Sequence, residues 1–187
     1  GLPGIKIAFP SSAADFKGLL IESIREPNPV VFFADLMLLG KKGDVPEGAY
    51  SIEFGKADVK REGTDVTVVA IGSTVPQALE VADQLAETGV SVEVIDPRTL
   101  VPFDWDAVAK SVSKTGRLVA VDPNRETCGA ASEIITQAVE RCWSQLKAQP
   151  QRVTWPNVPM PYSPPLEKAV VSDLDDIRRA IELTLKS

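Results

Sequence analysis

Three short runs hold the side chains most able to bind or react: Gly72-Ser73-Thr74, Asp96-Pro97-Arg98 and the stretch from Asp122 to Cys128. Each follows an apolar segment with strand character, namely Val66 to Ile71, Val90 to Ile95 and Leu118 to Val121. In an open parallel sheet, ligands sit beyond the C-terminal strand ends, where helix N-termini present unpaired N–H groups. On that rule Gly72, Ser73 and Thr74 would cradle a small anion, and Asp96 and Arg98 would project from one tight turn. Asp122, Asn124 and Arg125 would line the third position. Each has a plainer reading. Ser73 or Thr74 serves as a helix cap without any ligand, and Asp96 pairs with Arg98 as an ordinary ion pair. The dinucleotide and phosphate-loop glycine fingerprints are absent.

Nucleophilic chemistry is poorly supported. The chain has no histidine, which removes Ser-His-Asp and Cys-His catalysis and HExxH zinc sites within this chain. Cys128 stands near a helix start with Arg125 close in sequence, which would favour its thiolate, but no histidine base accompanies it. The spacing of Cys128 and Cys142 suggests neither a disulfide framework nor a zinc site. From Trp155 to Pro165, five of 11 residues are proline. Such a segment is stiff and extended, and it presents Trp155, Met160 and Tyr162 at low ordering cost. It either docks a partner or straps its own domain.

A formal net charge of -6 and no basic run longer than two residues exclude a phosphate-backbone partner. No apolar stretch approaches the roughly 20 residues of a membrane span, and no segment has the order of a signal peptide. The expectation is a soluble chain.

The elements that must position these residues fall into two groups. Ile5 to Phe9 is strand-like. Ser12 and Asp15 form a capping-box-like pair before a helix bearing Ala13, Phe16, Leu19, Leu20 and Ile24, and Val30 to Phe33 is a buried strand. Two strands cannot shield their own faces, so residues 1–36 are expected to be the tail of a larger domain whose start precedes Gly1. Residues 37–63, rich in glycine and charge, are expected to be a linker. From residue 64 to 187, strands alternate with helices. Asp104 caps the second helix of this part, Gly116 ends it, Gln151 to Trp155 is a fourth strand, and Ser172 caps the last helix. The fold class is therefore α/β, an open mostly parallel sheet with helices on both faces.

Two runs, Val66 to Glu80 and Gly89 to Asp104, resemble the C-terminal domain of transketolase-type enzymes, most nearly the beta subunits of thiamine-diphosphate-dependent pyruvate, branched-chain and acetoin dehydrogenases. Pro3 to Ser11, Lys17 to Leu20 and Asn28 to Phe32 resemble the end of that family's pyrimidine-binding domain, and Asn157 to Glu167 resembles its closing loop. The likeness spans essentially the whole chain. It departs at Ala34 to Gly40, at Glu26 where Asp is usual, and at Asp122 to Gly129, which is nearest to acetoin-type sequences.

The resemblance implies the C-terminal portion of the decarboxylating component's beta subunit, serving oligomerisation and partner docking. Thiamine diphosphate and magnesium belong to the assembled enzyme. The alpha subunit holds the diphosphate and magnesium, while the glutamate that activates the aminopyrimidine and a histidine near the substrate would precede Gly1. No catalytic or cofactor-binding residue is expected in this segment, which alone would be inactive. The resemblance also implies a structural potassium ion near Ser23, Glu26 and Asn28. Its implied partners are an alpha subunit, a second beta subunit and a dihydrolipoyl acyltransferase, in the cytoplasm or the mitochondrial matrix. Interface or anion candidates are Ser73, Asp96, Arg98, Arg125, Trp155 and Tyr162. Two other readings stay open: the C-terminal part of another transketolase-superfamily enzyme, and a stand-alone α/β module binding a small anion.

Overall fold

Residues 3–186 are described by a computed structural model of the chain. An N-terminal strand β1 (Lys6–Ala8), helix α1 (Ala13–Arg25) and strand β2 (Val30–Phe32) form the expected unit, with β1 and β2 parallel. Ser12 caps α1 by accepting from the Asp15 amide at 3.1 Å. The expected reciprocal box is altered, because the Ser12 hydroxyl donates to the Asp15 carboxylate instead of that carboxylate reaching back to the backbone. Among the described residues, Ala8, Leu19 and Phe54 form the buried apolar centre of this unit, with Val30, Phe32 and Ile52 packed around them.

The second sheet is built from β3 (Asp58–Arg61), β4 (Val66–Ala70), β5 (Val92–Asp96), β7 (Leu118–Arg125) and β8 (Gln151–Trp155), in the order β3-β5-β4-β7-β8. The last four run parallel and β3 closes one edge antiparallel to β5. Every residue of β4 and β5 is buried, as expected of strands covered on both faces. Helix α2 (Thr74–Ala86) and the C-terminal helix α6 (Leu174–Leu185) cover one face through Val75, Ala78, Val81, Ala82, Leu85, Ile177 and Ile181. Helices α3 (Trp105–Thr115) and α4 (Ala130–Cys142) cover the other through Val108, Val112, Ala131, Ile134, Ala138 and Cys142. The open α/β architecture expected from the alternation is the observed one.

Several local features differ from the sequence reading. β3 lies inside the segment expected to be a linker, and its approach to β5 requires Gly63: a Cβ there would stand 2.2 Å from the carbonyl carbon of Val92. Within the proline-rich loop, Pro164–Val170 forms a short helix α5, because proline is accommodated in a first helical turn. The cap of α6 is Asp173, not Ser172; Asp173 accepts from the amides of Asp175 and Asp176 and completes a capping box with Asp176. Finally, a short strand β6 (Thr99–Val101) leaves the larger part of the chain and pairs antiparallel with β1, so the small sheet has the order β2-β1-β6.

Candidate functional site

At the C-terminal ends of the parallel strands, backbone amides are met by the chain's own carboxylates. After β4, Gly72 takes a positive φ of 55° and Thr74 folds back, accepting from the Ile71 amide and donating to its carbonyl. A Cβ on Gly72 would lie 2.5 Å from the Phe9 ring, so glycine is needed both for the turn and for the approach of the N-terminal unit. The half-buried Ser73 presents its backbone N–H at the start of α2, but Asp35 Oδ2 accepts that donor at 2.9 Å. The donor that a small anion could have met at Gly72-Ser73-Thr74 is thus taken by a side chain of the N-terminal segment. The other Asp35 oxygen accepts from the Met37 amide at 3.0 Å.

After β7 the same solution recurs. Buried Asp122 accepts from the Ala131 amide at 3.1 Å, at the N-terminus of α4. Burial pushes its carboxyl above the ordinary range, with the α4 amides opposing. Exposed Arg125 points away from it and donates from Nε to the Val158 carbonyl at 3.1 Å. Cys128 is exposed with a positive φ of 59°, just before the Gly129 cap.

After β5, the expected Asp96–Arg98 ion pair is replaced by a wider network. Asp96 is completely buried and accepts from the Arg98 amide at 2.9 Å and from the Ser11 hydroxyl. Arg98, at a positive φ of 57°, turns its side chain to the segment leading into β3 instead; it donates to the Lys56 and Ala57 carbonyls and reaches Asp15 at 3.5 Å. Lys60 on β3 completes the group, 2.9 Å from Asp15, 2.7 Å from Asp58 and 3.9 Å from Asp96. Burial alone would raise Asp15, but Ser12, Lys60 and Arg98 outweigh it and hold the carboxyl below its usual range. For Asp96 burial dominates and pushes the acid up to about 6. Burial would lower Lys60, yet its carboxylate neighbours outweigh that and raise it.

Sequence reasoning found Asp96 and Arg98 but missed Ser11, Asp15, Asp35 and Lys60 as their partners or counterparts. A signal was present in Asp15, an acidic residue in the first turn of a helix where burial is expected, and in Lys60 on a strand beside buried neighbours.

The remaining candidates are separate from this charged group. Trp155 at the end of β8 pairs in register with Arg125 and its carbonyl accepts from Glu126 N at 2.9 Å, while Tyr162 is wholly exposed. Near the α1–β2 turn, Ser23 donates to the Leu19 carbonyl at 2.7 Å. Glu26 holds Lys6 Nζ at 2.5 Å with one carboxylate oxygen and accepts both Asn28 donors with the other. The side chains of all three are thus turned to protein partners, with an ammonium already beside Glu26. Among the described residues no group of three or more His, Cys, Asp or Glu is placed to hold a metal ion. No helix among them is long and apolar enough to cross a membrane.

A mostly parallel five-stranded sheet with helices on both faces is thus joined to a small β-α-β unit. Residues 55–177 match the family described as transketolase, C-terminal domain, and the chain belongs to that family. It is 43% identical over 185 residues to the acetoin:2,6-dichlorophenolindophenol oxidoreductase subunit beta of Cupriavidus necator, covering 99% of this chain and 55% of that protein. It is also 43% identical over 162 residues to the pyruvate dehydrogenase E1 component subunit beta of Bacillus subtilis, covering 86% of this chain and 50% of that one. The chain therefore spans about half the length of the curated relatives it matches, corresponding to their C-terminal part. A solved structure described as a split gene transketolase, inactive beta4 tetramer, superimposes with a TM-score of 0.77 at 25% identity, covering 99% of this chain and 58% of that chain.

Proposed function

We propose that this chain is the C-terminal portion of the beta subunit of a thiamine-diphosphate-dependent 2-oxoacid or acetoin dehydrogenase component, with a role in oligomerisation and in docking an alpha subunit, a second beta subunit and a dihydrolipoyl acyltransferase. The observation that carries this reading is the 43% identity to the beta subunits of an acetoin oxidoreductase and of a pyruvate dehydrogenase E1 component; at the strand ends, Asp35 and Asp122 accept amide donors at the starts of α2 and α4. When bound in the assembled enzyme, thiamine diphosphate supplies the carbanion chemistry. The residues of this chain position and cover, and the groups that activate the cofactor and grip its diphosphate come from other polypeptide. Surface apolar side chains on the N-terminal unit support a role in assembly: Ile24, Leu36 and Met37 are 76%, 81% and 74% exposed, and such a concentration is characteristic of contact surfaces. In this reading the protein works in the cytoplasm or the mitochondrial matrix.

The test is calorimetry of the chain alone with thiamine diphosphate and magnesium, beside reconstitution with an alpha subunit and the complete beta sequence. The expected result is no binding by the chain alone, and turnover of pyruvate, a branched-chain 2-oxoacid or acetoin after reconstitution. Tight cofactor binding by the chain alone would overturn the proposal. A single gene encoding both cofactor domains upstream would move the assignment to another transketolase-superfamily enzyme.

A further inference from the structure

Five charged side chains meet between the two sheets: Asp15 in the first turn of α1, Asp58 and Lys60 on β3, Asp96 at the end of β5 and Arg98 in the turn beyond it. With three carboxylates and two cations, the cluster reaches zero net charge when it binds one proton. Geometry selects the carboxylate that takes it. Asp15 has Lys60 at 2.9 Å and Arg98 at 3.5 Å, and Asp58 has Lys60 at 2.7 Å and 40% side-chain exposure. Asp96 is fully buried, its nearest cation is Lys60 at 3.9 Å, and Asp15 adds repulsion from across the cluster. Its Oδ2 shares a hydrogen bond with Ser11, which immediately precedes the Ser12 cap of α1. A proton on Oδ2 reverses the direction of that bond without moving either oxygen.

We propose that this cluster is a proton-operated latch: with one proton on Asp96 it holds the N-terminal unit against the five-stranded sheet, and release of that proton loosens the unit. The groups facing Asp96 are distributed for such a role. Ser11 and Asp15 belong to the N-terminal unit, whereas Lys60, Asp58 and Arg98 belong to the strand and turn of the larger sheet, so a change in charge at Asp96 acts across the boundary between them. Burying a charge without full pairing is costly, and loosening the boundary readmits water to it.

Hydrogen–deuterium exchange on the full-length protein tests the latch, comparing amides of α1 with those of β4 at about pH 5 and about pH 7.5 after correction for intrinsic rates. An acid held at about 6 when docked and near 3.8 when released makes opening of α1 about tenfold more favourable over that range. Asp96→Asn removes this dependence, because the amide donates and accepts without ionising. Ser11→Ala moves the midpoint upward, since the hydroxyl that favours the charged form is gone. Infrared spectra show a protonated carboxylic acid band at the lower pH that Asp96→Asn lacks. Absence of that band overturns the latch, as does a pH response of α1 that survives Asp96→Asn or a Ser11→Ala midpoint that stays put or falls. Should Asp96→Asn fail to fold, the infrared titration of the native protein and the Ser11→Ala midpoint decide the matter.

Discussion

Lys60 Nζ lies 2.9 Å from Asp15 Oδ2, so an ammonium on the edge strand of one sheet neutralises a carboxylate in the first helical turn of a different unit. Asp15 is 5% exposed and Lys60 18% exposed at the side chain, which removes most of the solvent screening that makes surface pairs weak. Replacing Lys60 by methionine keeps the stem and deletes the charge, leaving Asp15 with Arg98 alone. The expected loss is about 2 kcal/mol in urea denaturation at neutral pH, between the roughly 0–1 kcal/mol of an exposed pair and the roughly 3–5 kcal/mol of a fully buried one. A change below about 0.5 kcal/mol would mean that Arg98 suffices.

The depressed pKa of Asp15 fixes the sign of a pH effect. Burial opposes ionisation there, but Ser12, Lys60 and Arg98 prevail, so the folded state holds this proton less tightly than the unfolded chain. Its stabilisation is present above the unfolded value of 3.8 and disappears as pH falls through the lower folded value. Asp15→Asn should therefore be less stable than the native protein by about 1–3 kcal/mol at neutral pH. The gap should close in acid. Denaturation midpoints across a pH series would show it, and a gap independent of pH would contradict the assignment.

Asp35 occupies the N-terminus of α2 as a built-in anion. Asp35→Ala deprives the Ser73 and Met37 amides of their acceptor, at an expected cost of about 1 kcal/mol. The freed donor lies at the positive end of the helix dipole, so added sulfate should raise the melting temperature of the variant more than that of the native protein. An equal response in both would show that the site does not accept an external anion.

The end of the chain offers a simple comparison of two adjacent residues. Asp173→Ala removes a cap that accepts from two amides and should cost about 1 kcal/mol in thermal melts. Ser172→Ala should change stability by less than about 0.3 kcal/mol, as expected of a surface residue without such a role. The reverse order would restore Ser172 as the cap.

The parallel strands and their helices were readable because their signals are local: continuous apolar runs in Val66 to Ile71, helical stripes such as Val75, Ala78, Ala82 and Leu85, and a left-handed Gly116 at the end of α3. β3 was missed because Asp-Val-Lys-Arg is largely charged and pairs on only one side, so it carries neither an apolar run nor clean alternation. α5 was hidden by its two leading prolines, which read as loop although they suit a first turn. The charged cluster was only partly legible. Asp96 and Arg98 stand two residues apart, but their partners Ser11 and Asp15 lie 85 and 83 positions away in the chain, a relation no local pattern encodes. The pairing of adjacent charges was the natural inference; the Arg98 side chain goes instead to the Lys56 and Ala57 carbonyls.

β6 turns the boundary between the two units into an interlacing. Its residues are covalently part of the larger sheet's loop region but pair with β1, Val101 opposite Ile7 and Thr99 opposite Ala8, while the Phe9 amide donates to the Arg98 carbonyl at 2.9 Å. A protease nick among the exposed residues from Gly40 to Gly48 would consequently yield two fragments that still travel as one particle through gel filtration and part only in denaturant.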